Sequence, residues 1–364
     1  MVFSALLLPF VFLSMNMAHA DEYQAVVLMY HHFGVQKHPS TNVRLEQFDA
    51  HLDYLEKAGY QVWPLTRVVE YVAAKRPFPA RVVAISIDDA YLSVFTEAYP
   101  RLKKRGWPFT VFVATEGVDR RFKAYMSWQQ MREMQAHGAY FENHSASHDY
   151  LIRRLAGEDE EQWLARIRAD IKRAQRRIHE ELGTAPSLFA YPYGEYNTVL
   201  ANMVSELGLH AFGQQSGPVG LGADLRAMPR FPMAERFAAL KDFKQKVQSL
   251  AFPLLDVQPW EPQLKAPLLE NKVLQGGVSE HQTAPQMTVR LGESAARLNQ
   301  LSCFVSGQGQ VEVQWLDRAA RLFLLQAPQI LPQGRSRYNC TAPSAQVGRY
   351  YWFSHLWITP TAVN

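Results

Sequence analysis

The chain has 364 residues, 48% of them hydrophobic, enough for a full core and two domains. Its 38 Lys and Arg are intermixed with 34 Asp and Glu, for a net charge of +4, which gives no support to a nucleic-acid partner.

Residues 1–20, MVFSALLLPFVFLSMNMAHA, are apolar and close on Ala18-His19-Ala20, an A-x-A cleavage pattern ahead of Asp21. They read as a secretory signal peptide, and an exported protein is expected. The segment lacks the usual leading Lys or Arg, which leaves a retained anchor as the alternative. Its short apolar length and small-residue exit favour cleavage. No other stretch is long enough to span a bilayer, so no integral span is expected after cleavage.

From Ala25 to about Pro232, short apolar runs alternate with helix-period segments. Strands are predicted at 25–30, 61–65, 82–88, 108–115, 139–143, 188–193, 210–215 and 225–233. A helix is predicted over 44–58, where Leu45, Phe48, Leu52 and Leu55 recur at spacings of three and four. Gly59, Gly106, Gly138, Gly183 and Gly208 stand where helices should stop. The basic run at 166–183 reads as one face of a solvated helix. The pattern predicts an α/β fold over 21–255, a distorted (β/α) barrel of seven or eight parallel strands.

Residues 256–274 include three prolines and read as a linker. Beyond it, 275–364 alternate apolar and polar residues between turn signals, as in a small antiparallel β-sandwich-like domain. The only cysteines, Cys303 and Cys340, both lie there and are a candidate disulfide, with two buried thiols as the alternative. The aromatic run around Tyr350, Tyr351, Trp352, Phe353 and Trp357 reads as sandwich core in preference to an exposed binding platform.

Chemistry in such barrels sits at the carboxyl ends of the strands. The run VVAISIDD ends there in two adjacent carboxylates, Asp88 and Asp89, which repel unless a cation or a base's role accounts for them. His31 and His32 follow the first strand. His144 and His148 follow another, four apart, a spacing suited to a transition metal.

SIDDAY (86–91), HSASH (144–148) and FAYPYGEY (189–196), in that order and spacing, resemble the first three motifs of the polysaccharide deacetylases of carbohydrate esterase family 4, which share the NodB-homology fold. The LMYHHF opening and the FAYPYG variant are most similar to the biofilm poly-β-1,6-N-acetylglucosamine N-deacetylases. The resemblance implies Asp89, His144 and His148 as ligands of one divalent transition metal, zinc first and cobalt or nickel as alternatives. It implies Asp88 as general base and the backbone N–H of Tyr193 as a donor to the oxyanion. The family's Leu-x-His acid is not found, and His31 is the candidate general acid, with His32 the alternative. The arginine that orients the base in the family is replaced by Ala190, and Arg230 is a candidate substitute. Ala90 stands in place of the usual glycine after the acid pair.

The function implied is metal-dependent removal of N-acetyl groups from an N-acetylglucosamine-containing extracellular or envelope polysaccharide. Alternatives are a catalytically weakened glycan-binding member, or a de-O-acetylase of a different glycan. An N-acetylated polysaccharide is the expected partner, and polysaccharide-export machinery is a candidate one.

Overall fold

The computed structural model describes residues 24–260, 277–278 and 284–359. The signal peptide expected over 1–20 and the stretch 261–274 of the expected linker lie outside the described residues. No helix among the described residues is long and apolar enough to cross a membrane.

Strand β1 is Ala25–Tyr30, and β2 (His32–Phe33) and β3 (Asn42–Val43) form a small parallel pair after it. Helix α1 (Leu45–Lys57), β4 (Gln61–Val62), α2 (Leu65–Ala73) and β5 (Val82–Asp88) come next. They lead to α3 (Tyr99–Lys104), β6 (Phe109–Val113), α4 (Thr115–Asp119), α5 (Trp128–Gln135) and β7 (Ala139–Asn143). The long helix α6 (Glu160–Leu182) precedes β8 (Leu188–Ala190), α7 (Thr198–Glu206) and β9 (His210–Phe212). Strand β10 (Phe231–Pro232) and α8 (Leu240–Val247) complete this part.

The sheet runs in the order β10-β1-β5-β6-β7-β8-β9, every neighbour parallel, with β4 also on β5. A parallel bridge between Phe212 and Met228 joins β9 to the segment just ahead of β10. This is the distorted barrel that the strand–helix alternation predicts. Strands β1, β5 and β6 are buried at every position because helices cover one face and the barrel interior the other. Helix α6 buries Trp163, Ile167, Ile171, Ala174, Ile178 and Leu182, spaced by three and four, and turns its charged residues outward. Asp159 and Gln162 cap its start, and Gly183 ends it in the left-handed region at φ 71°.

Five expected strands are shorter than the sequence pattern suggested: 108–115 keeps Phe109–Val113, 210–215 keeps His210–Phe212, and proline accounts for the other three. Pro64 has no N–H for a ladder, so the strand expected at 61–65 stops at Val62 and Leu65 opens a helix. The strand expected at 188–193 ends at Ala190 ahead of the Pro192–Gly194 turn. The one expected at 225–233 keeps only Phe231–Pro232, since Pro229 and Pro232 donate nothing.

The remaining strands are β11 (Leu250–Ala251), β12 (Leu254–Trp260), β13 (Gly277–Val278), β14 (Gln286–Leu291) and β15 (Ser302–Val305). They continue with β16 (Gly309–Val311), β17 (Gln314–Asp317), β18 (Leu322–Gln326), β19 (Gly334–Pro343) and β20 (Tyr350–Thr359). One sheet has the order β11-β20-β19-β15-β16, with β13 also on β20. The other is antiparallel in the order β12-β14-β18-β17. Their facing residues, among them Val289, Phe323, Tyr338, Cys340 and Phe353, form one apolar cluster. Strands β11 and β13 pair with β20 in parallel, an exception to the antiparallel expectation. The linker expected over 256–274 is also corrected at its start, because 256–260 belong to β12 and pair with β14. A disulfide joins Cys303 on β15 to Cys340 on β19.

Strand β20 is buried on both faces. Tyr351, Phe353 and Trp357 enter the sandwich core, while Trp352, Leu356 and Ile358 pack against the barrel. Trp352 meets Phe231 edge-on at 5.2 Å between ring centroids.

Candidate active site

Alternation along β5 places Ala84, Ser86 and Asp88 on the interior face of the barrel, so the strand delivers Asp88 at its carboxyl end. The chain then reverses through Asp89 and Ala90 at φ 76° and 58°. Ser145, His148 and Tyr193 are left-handed as well, so half of the non-glycine residues with positive φ among those described belong to the three loops that meet here. Such clustering of unfavourable backbone marks a site that surrounding contacts hold in place.

Those loops bring Asp89, His144 and His148 together, with one ligand atom from each within 4.8 Å of the others. Nε2 of His144 lies 3.3 Å from Asp89 Oδ1, and Nε2 of His148 lies 3.0 Å from it. Neither contact has hydrogen-bond geometry, and this buried oxygen is left without a donor. Nδ1–H of His144 donates to the Ala190 carbonyl at 2.7 Å, which turns the Nε2 lone pair toward the centre. A carboxylate and two imidazoles converging on one point, with an orphaned oxygen among them, fit a divalent transition metal.

Asp88 stands beside this group with no exposed surface. Arg230, equally buried, donates from its two terminal nitrogens to the two Asp88 oxygens at 2.7 and 2.9 Å. The guanidinium is itself fixed by Gly213 O at 3.0 Å and Ser86 Oγ at 3.2 Å. Burial alone would raise the Asp88 carboxyl, but the charge of Arg230, with His144 and His31, outweighs it and holds the group below its ordinary value.

The two candidate acids separate in space. His31 Nε2 is 3.8 Å from Asp88 Oδ2, and burial lowers this imidazole from its ordinary value against the opposing pull of Asp88 and Asp89. His32 is instead bonded to Thr41 Oγ1 at 3.0 Å and stacked on Tyr91 at 3.8 Å. Tyr193 lies in the turn after β8, its ring 4.7 Å from that of His148 and stacked on Tyr150 at 3.9 Å. Gly194 and Glu195 donate back to Tyr191 and Pro192, which leaves the Tyr193 N–H outside the turn's own hydrogen bonds.

One contributor has no motif in the sequence. Asp170 on α6 accepts the backbone N–H of Ala146 at 3.0 Å and of Ser147 at 3.2 Å, and so pins the loop between the two histidines. Its only sequence signal is an acid inside a basic run.

Residues 75–212 match the family model described as polysaccharide deacetylase. That segment of the chain is similar to a polysaccharide deacetylase domain. The matched segment contains Asp88, Asp89, His144, His148 and Tyr193, while His31 and Arg230 fall outside it. A poly-β-1,6-N-acetyl-D-glucosamine N-deacetylase of Escherichia coli (strain K12) is 23% identical over 241 residues, 57% of this chain and 35% of that protein. The chain spans 35% to 59% of the length of the curated relatives it matches. Among solved structures, the deacetylase PplD of Streptococcus pyogenes superposes with a TM-score of 0.55 at 22% identity, over 62% of this chain and 98% of that one. IcaB from Ammonifex degensii gives 0.53 at 25% identity, over 61% and 97%. The first of these likenesses speaks for the fold of the deacetylase domain alone.

Proposed function

We propose that the protein is a metal-dependent hydrolase that removes N-acetyl groups from a polymer of N-acetylglucosamine, with the β-1,6-linked polymer as first candidate. The observation that carries this reading is the convergence of Asp89, His144 and His148 beside an Asp88 fixed by Arg230. The activity for which the Escherichia coli relative is named supports the choice of polymer.

Asp89 Oδ1 and the two Nε2 atoms would hold one divalent cation, zinc in the first instance and cobalt or nickel otherwise. Such a cation, when bound, acidifies a water and polarises the acetamide carbonyl. Asp88 takes the proton of the attacking water, and Arg230 keeps the carboxylate aimed. The Tyr193 N–H donates to the carbonyl oxygen as negative charge develops there. His31, with its Nε2 3.8 Å from Asp88 Oδ2, gives a proton to the departing amine, so the products are acetate and a free glucosamine unit.

The proposed site of action is the bacterial periplasm or cell surface. The leader pattern of residues 1–20 and the Cys303–Cys340 disulfide support it.

Acetate release from β-1,6- and β-1,4-linked N-acetylglucosamine oligomers, with metal removed and then restored, tests the reading. Metal-restored acetate from the β-1,6 series, absent in His144→Ala, is the expected result. Tight metal binding without acetate from either series would overturn it in favour of glycan binding or a different ester.

A further inference from the structure

The C-terminal sheet reaches the deacetylase site through one side chain. Arg335 lies on β19, on the face opposite Ser336, Tyr338 and Cys340, and is turned toward the barrel. One terminal nitrogen donates to the carbonyl oxygen of Tyr193 and, at 3.0 Å, to Oε1 of Gln214. Its Nε lies 3.8 Å from a carboxylate oxygen of Glu195, which is buried. A single guanidinium therefore grips three neighbours of one turn, from a position 142 residues away in sequence.

That turn needs an external hold. Tyr193 sits at φ 58° and ψ 1°, a left-handed conformation that a tyrosine adopts only when its surroundings impose it. The packing is tight, since a Cβ on Gly194 would stand 2.5 Å from Gln214 Cβ and Cγ. Leu356 and Ile358 of β20 share an apolar cluster with Tyr191 and Tyr196 on either side of the turn, so the sheet that carries Arg335 is itself anchored there.

We propose that Arg335 is a positioning residue of the deacetylase site, and that the β-sandwich is thereby a working part of that site and not a separate appendage. By holding the Tyr193 carbonyl it fixes the Tyr193–Gly194 peptide plane, and through the left-handed backbone angles at Tyr193 it limits the direction of the N–H in the preceding peptide, which faces the substrate oxygen. This rests on the deacetylase reading above for its catalytic consequence, but the hold on the turn is independent of it.

The test uses the full chain with Arg335→Ala and Arg335→Lys. For Arg335→Ala we expect kcat to fall on the order of 10- to 100-fold with KM changed less than about twofold, and metal content to stay as in the parent protein. Arg335→Lys should recover part of kcat, because an ammonium can reach one of the acceptors but not all three. Hydrogen exchange at the Gly194 and Glu195 amides should quicken in Arg335→Ala, with the barrel strands unchanged. Unchanged kcat and unchanged exchange would overturn the proposal, as would a rise in KM alone, which would mark Arg335 as a substrate contact. If the parent protein releases no acetate but exchange at the turn still quickens, the deacetylase reading fails and the hold on the turn stands.

Discussion

Arg230 shows at the scale of one residue how the barrel keeps a carboxylate charged in its interior. Both members of the Arg230–Asp88 pair are without exposure, so removing one partner strands the other. Arg230→Met should lower the unfolding free energy in urea by about 3–5 kcal/mol, and adding Asp88→Asn should recover much of it. Equal loss in the single and double variants would contradict this. The sequence marks Arg230 only as a candidate substitute for a missing arginine, because no spacing rule ties position 230 to position 88. His51 offers a second test, away from the metal group. Its Nε2–H donates to Ala238 O at 2.8 Å and its Nδ1 accepts from Tyr30 at 3.1 Å, so the neutral form is the bonded one. Burial, reinforced by Lys246 and only partly countered by the Ala238 carbonyl, lowers it to about 4. The folded state then binds fewer protons than the unfolded one between about 4 and 6.5, and stability falls as pH falls through that window. The His51 share amounts to about 2 kcal/mol between pH 7 and pH 5, and His51→Gln should flatten the thermal-stability profile there by that much.

The loops between strands and helices carry the chemistry at the next scale. The loop from His144 to His148 is held from α6 by Asp170, so Asp170→Ala should weaken metal binding by roughly 10- to 100-fold, read by titration calorimetry, without touching a ligand. An unchanged affinity would show that the loop holds itself. The disulfide between neighbouring strands β15 and β19 closes a span of 37 residues. Chain-entropy reasoning gives it up to about 4 kcal/mol, so reduction should lower the melting temperature of the sandwich. Elements were legible where periodicity was strong. The buried run of β5 and the three-and-four spacing of α1 stand close to their predicted bounds, while α6 begins six residues ahead of the basic run that signals it. The strands around Val62, Ala190 and Phe231 were not, because an apolar run does not reveal that proline and turn geometry end its ladder early. The metal-ligand candidates and Asp88 were legible because three short motifs carry them in order. Asp170 and Arg335 were not, because each acts through a single tertiary contact.

At the scale of the whole molecule, a sequence that reads as barrel, linker and sandwich folds with its parts sharing a buried layer. The sequence reads the aromatic run of β20 as sandwich core, yet β20 buries one face in the sandwich and the other on the barrel. Which partner covers the second face is not encoded in strand periodicity. A chain ended after Ser249 would expose the barrel residues that meet Trp352, Leu356 and Ile358, and would lose the pairing of Leu250–Ala251 with β20. We expect that truncated chain to be insoluble or to melt well below the full chain, and an equal melting temperature would show the two parts to be independent.

The account turns on a division of labour between two adjacent acids, with Asp89 holding the metal and Asp88 moving the proton. Acetate release by Asp88→Asn, measured on protein whose bound metal has been counted, tests it most directly. The account predicts a full complement of metal and a loss of turnover on the order of 100-fold or more. Turnover near that of the parent protein, at the same metal content, would contradict it.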